Sequence, residues 1–119
     1  MRLAIPIWEK RVSPVFDTAE RLLIVDVEEN EISYRQGSLA LCPSQQRMQL
    51  LNQLGVAILI CGAITRPLWE GLVNSGIEVI PNICGDVDLI LQSYLSGEDI
   101  KGLFVISRVK KKRSRDGRQ

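Results

Sequence analysis

Before residue 43 no stretch of this chain holds helical spacing for the length of a helix; after it, apolar runs and helical stripes alternate. That division restricts the architecture more than any single motif. In the first part, Arg2–Ile7 is a short apolar run that predicts a strand. Trp8–Thr18 mixes charges, Ser-Pro and aromatics without period and reads as a long loop. Glu20–Val27, centred on Leu22-Leu23-Ile24-Val25, predicts a second strand, and the alternating segment Glu31–Gly37 a third. The short turn Glu28-Glu29-Asn30 between them favours an antiparallel hairpin.

In the second part, Pro43–Leu54 places Met48, Leu51 and Leu54 at helical spacing, with Leu50 widening the stripe and Gly55 closing it. Val56–Cys61 is a continuous apolar run, the pattern of a strand covered on both faces. Thr65–Ser75 reads as a second helix, with Thr65 as N-cap, Pro67 in the first turn and Gly76 beyond its end. Ile77–Ile80 is a strand ended by Pro81. Asp86–Leu95 is a third helix, apolar at Val87, Ile90, Leu91, Tyr94 and Leu95. Leu103–Ile106 is short and apolar, a terminal strand or a tether packed on the body.

The order is β-β-β-α-β-α-β-α. Right-handed crossovers make the third, fourth and fifth strands parallel. The first strand shares their direction and the second opposes it. The expected result is an α/β protein with a mixed five-stranded sheet in the order 3-2-1-4-5 and helices on both faces. That is the ribonuclease-H-like three-layer fold.

The 119 residues suffice for one domain. The net charge of +1 is a cancellation. Residues 1–107 carry 8 Lys/Arg and 13 Asp/Glu, whereas residues 108–119 carry 7 Lys/Arg and one Asp. A single domain over 1–107 is therefore expected to be followed by a disordered basic tail over 108–119. A run of basic residues can contact a polyanion, so nucleic acid is a partner only through this tail. No apolar run approaches the ~20 residues that span a bilayer, and a cytoplasmic protein without membrane contact is expected.

The chain has no histidine, which excludes histidine triads, histidine general bases and histidine-ligated metals. The first strand has no carboxylate, so the acidic cluster of a two-metal nuclease is missing. Neither glycine-rich phosphate loop is present. The expectation is a protein that is not an enzyme.

Three cysteines occupy equivalent places. Cys42 follows the third strand, Cys61 closes the fourth, and Cys84 lies between the fifth strand and the third helix. Parallel strands bring all three to the carboxyl edge of the sheet, where open α/β sheets bind ligands and helix N-termini offer N–H donors. Such N-termini lower thiol pKa values. Cys61 and Cys84 are on adjacent strands and form the favoured pair of metal ligands, with Cys42 third. Gly62 and Gly85 are expected to supply backbone N–H groups to an anion. The Trp8–Thr18 loop leaves the same edge as a lid, with Trp8 and Ser13 against the ligand. The alternative is that the thiols are small buried apolar groups.

Several segments together resemble the dinitrogenase iron–molybdenum cofactor biosynthesis family: Arg2-Leu3-Ala4-Ile5-Pro6, Val12-Ser13-Pro14 with Phe16 and Ala19-Glu20, Leu23-Ile24-Val25-Asp26-Val27, Leu54-Gly55-Val56, Leu59-Ile60-Cys61-Gly62, Gly76-Ile77-Glu78-Val79 and Tyr94-Leu95-Ser96-Gly97. The resemblance spans roughly residues 1–100. It implies the same fold and a non-enzymatic carrier of an iron–sulfur or molybdenum-containing metal–sulfur cluster. A thiometallate would be its cargo, and a protein partner in cluster transfer is implied. Many relatives have a polar residue, often histidine, after the Ser-Pro; Val15 stands there in this chain, and Asp17 stands where a glycine is common. The competing expectation is a cofactor-free regulatory module that binds a partner through the basic tail.

Overall fold

The computed structural model describes residues 1–105; the basic segment 108–119, and any disorder in it, lies outside the described residues. The strands are β1 (Arg2–Trp8), β2 (Arg11–Val12), β3 (Arg21–Glu28), β4 (Glu31–Ser38), β5 (Ile58–Ile60) and β6 (Glu78–Ile80). The helices are α1 (Ser44–Gln53), α2 (Arg66–Asn74), α3 (Val87–Leu95) and the short α4 (Ile100–Leu103).

The main path of the sheet runs β4-β3-β1-β5-β6. β3 is antiparallel to both β1 and β4, while β5 is parallel to β1 and β6. This is the order and direction expected from the sequence. The apolar alternation of the strands explains the layering. Leu3, Ile5, Val25, Ile58 and Ile60 point to one face, where Val87, Ile90 and Leu91 of α3 and Ile100 of α4 cover them. Ala4, Leu22, Ile24 and Leu59 point to the other, under Leu51 of α1 and Leu68 and Leu72 of α2. The three-layer ribonuclease-H-like arrangement follows.

Three local expectations change. The Trp8–Thr18 segment is not a plain loop: β2 folds back on β1, pairing Ile7 with Val12 and Trp8 with Arg11, and a 3-10 turn covers Phe16–Thr18. The turn is made by Glu9 at φ 58, a conformation for which the sequence offered no glycine or asparagine. The fourth expected strand shortens to Ile58–Ile60, although Ala57 and Cys61 continue its hydrogen bonding to Arg2 and Ile80. Leu103 ends α4 rather than starting a strand, and Val105 acts as the tether by pairing with Ile83.

At the opposite, amino-terminal edge, the Arg2 guanidinium donates to the Asp26 carboxylate at 2.5 Å and to the Leu54 carbonyl. This bond holds the Asp26 carboxyl below the usual carboxylate range. A lowered pKa in the folded state stabilises the protein fully above the unfolded value of about 4 and is lost as pH falls through the folded value. Asp26→Asn is therefore expected to flatten the acid limb of the stability profile. Urea unfolding at pH 7 and pH 3 measures it: the gap between wild type and variant should narrow at the lower pH.

Candidate functional site

The carboxyl ends of β1, β4, β5 and β6 share one edge of the sheet, and this edge carries every residue singled out above. Its central element is the segment after β1. Ser13 N–H donates to the Pro6 carbonyl (2.8 Å), Val12 N–H to Gly85 (3.0 Å), and Val87 N–H to Lys10 (2.9 Å). On the other side Ala63 N–H donates to Pro14 (2.8 Å) and Phe16 N–H to Ala63 (2.9 Å). The segment is thus stitched to the loops that follow both β5 and β6. The segment expected to be a lid is fastened to both neighbouring loops as a strap.

Gly62 shows why the fastening is tight. A Cβ built on it would lie 2.5 Å from the Pro14 carbonyl oxygen and 2.6 Å from that of Ser13. The glycine permits backbone to touch backbone. No hydrogen bond from the Gly62 N–H is formed among the described residues, while its carbonyl accepts from Asn82 at 2.9 Å. Gly85 adopts φ 127, beyond the reach of an ordinary side chain, and its carbonyl accepts from Val12.

Two of the helix N-termini that face this edge already hold carboxylates. Asp17 accepts from the Thr65 N–H (3.0 Å) and Oγ1 (2.6 Å), so it caps α2 in place of the Thr65 side chain. Asp86 accepts from Leu89 N–H at 3.1 Å and caps α3. Negative charge at these positions complements the helix dipole and occupies donors that an anionic ligand would need. The N-terminus of α1 has neither a side-chain cap nor an acidic residue in its first turn.

The three thiols share the edge but do not converge. Cys61 is fully buried in the cluster beneath α1 and α2. Burial, with the Asp17 carboxylate adding to it, pushes its thiol up to about 12. The start of the following helix, expected to lower it, carries the Asp17 carboxylate. Cys84 is half-buried; its Sγ donates to the Val105 carbonyl at 3.3 Å and its N–H to Phe104 at 2.7 Å. Cys42, also half-buried, sits beyond β4 at the other end of the sheet. Among the described residues no group of three or more Cys, Asp or Glu is placed to hold a metal ion. The expected outcome of thiol labelling at pH 8 is modification of Cys42 and Cys84 in the native protein and of Cys61 only after unfolding. Peptide mapping by mass spectrometry reads this directly, and rapid native labelling of Cys61 would contradict its burial.

Trp8, 60% exposed, and buried Ser13 line an open hollow of about 700 Å³ together with Pro14, Ala19, Arg21 and Gln36. The Ser13 hydroxyl donates weakly to the Val15 carbonyl at 3.5 Å. No cysteine lines this hollow. The structure therefore brings Trp8 and Ser13 together, leaves Cys84 and Gly85 beside the β6 loop, and encloses Cys61 and Gly62 beneath the strap.

One residue of this region escaped the sequence reading. Arg47 of α1 is 4% exposed and paired with no carboxylate among the described residues. Its Nε donates to Cys42 (2.7 Å), Nη1 to Phe16 (3.0 Å) and Ala19 (2.7 Å), and Nη2 to Leu39 (3.2 Å), all backbone carbonyls. The guanidinium also lies 5.9 Å from the centre of the Phe16 ring. Arg47 thereby ties the strap to the loop carrying Cys42. The available signal was its position four residues before Leu51, on the stripe that faces the sheet.

A mixed sheet of this order between two helical layers, with the segment after β1 strapped across its carboxyl edge, defines a small protein of the ribonuclease-H-like fold. Its sequence narrows this further. The chain belongs to the dinitrogenase iron–molybdenum cofactor family, whose profile matches residues 1–97. Among solved structures, the crystal structure of PH0822 superimposes with a TM-score of 0.76 at 20% identity, covering 82% of this chain and 91% of the other. The apo orange protein from Desulfovibrio gigas gives 0.66 at 22%, covering 82% and 88%. A protein designated a dinitrogenase from Methanocaldococcus jannaschii gives 0.66 at 21%, covering 82% and 90%. At these identities the likeness is one of fold. No curated protein matches by sequence. No helix among the described residues is long and apolar enough to cross a membrane.

Proposed function

We propose that the chain is a non-enzymatic carrier of a metal–sulfur cluster or thiometallate related to the iron–molybdenum cofactor. It would take its cargo at the carboxyl edge of the sheet. The observation that carries this reading is the family match over residues 1–97. The edge supports a carrier rather than a resident-cluster protein. A closed set of thiolates retains a cluster, whereas a carrier must release it, and here the two partly exposed thiols lie at opposite ends of the sheet. Each would make a single thiolate contact. Cys42 precedes the N-terminus of α1, which has no side-chain cap, and Cys84 precedes α3, which Asp86 caps. Cys61 is structural in this reading, and Trp8 and Ser13 form the wall of the hollow. A soluble cytoplasmic setting and a protein acceptor complete the proposal.

Anaerobic incubation with iron, sulfide and molybdate, followed by visible absorption spectroscopy, tests it. The expected result is a charge-transfer band in the wild type, weakened in Cys42→Ser and in Cys84→Ser, lost when both are changed, and kept in Cys61→Ser. A colourless wild type overturns the reading. A band unchanged when all three cysteines are serine removes the thiolate role.

A further inference from the structure

Among the described residues β4 is the outermost strand on its side of the sheet and is hydrogen-bonded to β3 alone. Seven of its eight residues are exposed, including Ile32 at 43% and Tyr34 at 58%. Its register against β3 runs without a bulge from Glu28↔Glu31 to Arg21↔Ser38, and it contains neither proline nor lysine. Of the usual devices that block edge-to-edge pairing, proline, lysine and a bulge are missing and only the charges of Glu31 and Arg35 are present.

The direction of its open peptide groups follows from the neighbouring strand. Val27 N–H donates to the Met1 carbonyl (2.8 Å) and the Val27 carbonyl accepts from the Met1 amine (3.0 Å), so Val27 faces β1. Peptide groups alternate along an antiparallel ladder. Ile32, opposite Val27, therefore turns its own N–H and C=O away from β3, as do Tyr34 and Gln36. At the far end, Leu39 N–H donates to Glu20 at 2.8 Å, which keeps the same phase.

We infer that this edge pairs antiparallel with the same edge of a second copy of the chain, about a two-fold axis at Ser33. Symmetric contacts must be self-complementary. Centring on Ser33 sets Ile32 opposite the partner's Tyr34 as a hydrogen-bonded pair and Glu31 opposite the partner's Arg35. Centring on Tyr34 would oppose Arg35 to serine, and centring on Arg35 would oppose two arginines. Only the first register satisfies both charges, each pair occurring twice. Neither Glu31 nor Arg35 forms an ion pair among the described residues. On the α3 face, Ile32 and Tyr34 line a shallow hollow with Leu91 and Leu95, and the partner's Tyr34 and Ile32 extend that apolar strip. β-Branched and aromatic side chains directly opposite attract one another. The two sheets become one, and the two carboxyl edges open on opposite sides of the dimer.

Sedimentation of the full chain over a concentration series tests this, with amide hydrogen exchange as the register-specific readout. The wild type is expected to dimerise, and its Ile32 and Tyr34 amides to slow as dimer forms, while Ser33 and Arg35 are slow at every concentration. Arg35→Glu, which places like charges opposite each other twice, should weaken the dimer about tenfold or more. Combining it with Glu31→Arg restores opposite charges and should restore association. A wild type that stays monomeric up to about 1 mM overturns the inference. So does a dimer indifferent to Arg35→Glu, as would arise from pairing through the exposed Trp69 face of α2, or one not rescued by the double exchange.

Discussion

Arg47→Met is expected to lower the free energy of unfolding by about 3–5 kcal/mol, since each buried acceptor left without a donor costs about 1–3 kcal/mol and further bonds are lost besides. The thioether fills much of the space but donates nothing: the Cys42 and Ala19 carbonyls lose their donor, while those of Phe16 and Leu39 keep only the Ala19 and Cys42 N–H groups. Unsatisfied buried carbonyls are costly because water cannot replace the lost donor. Arg47→Lys keeps the charge on a compact ammonium that cannot fork among several acceptors, and should recover only part of the loss. Urea midpoints of the three proteins measure the effect. A methionine variant within roughly 0.5 kcal/mol of wild type would show that these four bonds contribute little net stability.

Gly62→Ala should be the next most damaging change, costing about 3 kcal/mol. The added methyl meets the Ser13 and Pro14 carbonyl oxygens, and both belong to backbone that cannot rotate aside. The strap must lift, breaking the Ala63–Pro14 bond. Gly55→Ala provides the contrast. Its φ of 71 makes a methyl group strained, but nothing lies within 4 Å of it, and a cost of about 1–2 kcal/mol is expected. Amide exchange separates the two: Gly62→Ala should accelerate exchange at Val12–Phe16, whereas Gly55→Ala should leave those amides unchanged. Because Arg47 and Gly62 fasten the same strap, the double variant should lose less than the two single losses together.

These two residues also mark how far the sequence could be read. The strand order was legible because the turn after Glu28, the closing glycines and the continuous run at Ile58–Ile60 report local chain direction, and crossover handedness supplies the rest. The β2 hairpin was not, since Glu9 enters the left-handed region without a residue type that advertises it. Gly62 stood out in the sequence, but its reason is a contact with residues far earlier in the chain. Only the fold reveals such a contact. Arg47 was passed over, because an arginine on a helix is ordinarily solvated and only its place on the stripe of Leu51 pointed inward. For Cys61, the apolar run that it ends pointed to burial and the following helix pointed to a reactive thiol. The structure resolves the conflict: burial raises the thiol most, and Asp17, which stands where the family commonly has glycine, adds a carboxylate at the start of that helix.

The stitching of the strap has a consequence for synthesis on the ribosome. β1, β3 and β4 all lie between Arg2 and Ser38 and can pair as soon as they emerge, since closing short loops is rapid. The strap, in contrast, waits for distant partners: Pro14 for Ala63, Val12 for Gly85, and Lys10 for Val87. In a nascent chain shorter than Val87 the carboxyl edge beside the N-terminal meander is still unassembled. On the carrier function proposed above, competence to take cargo would therefore arrive only late in translation.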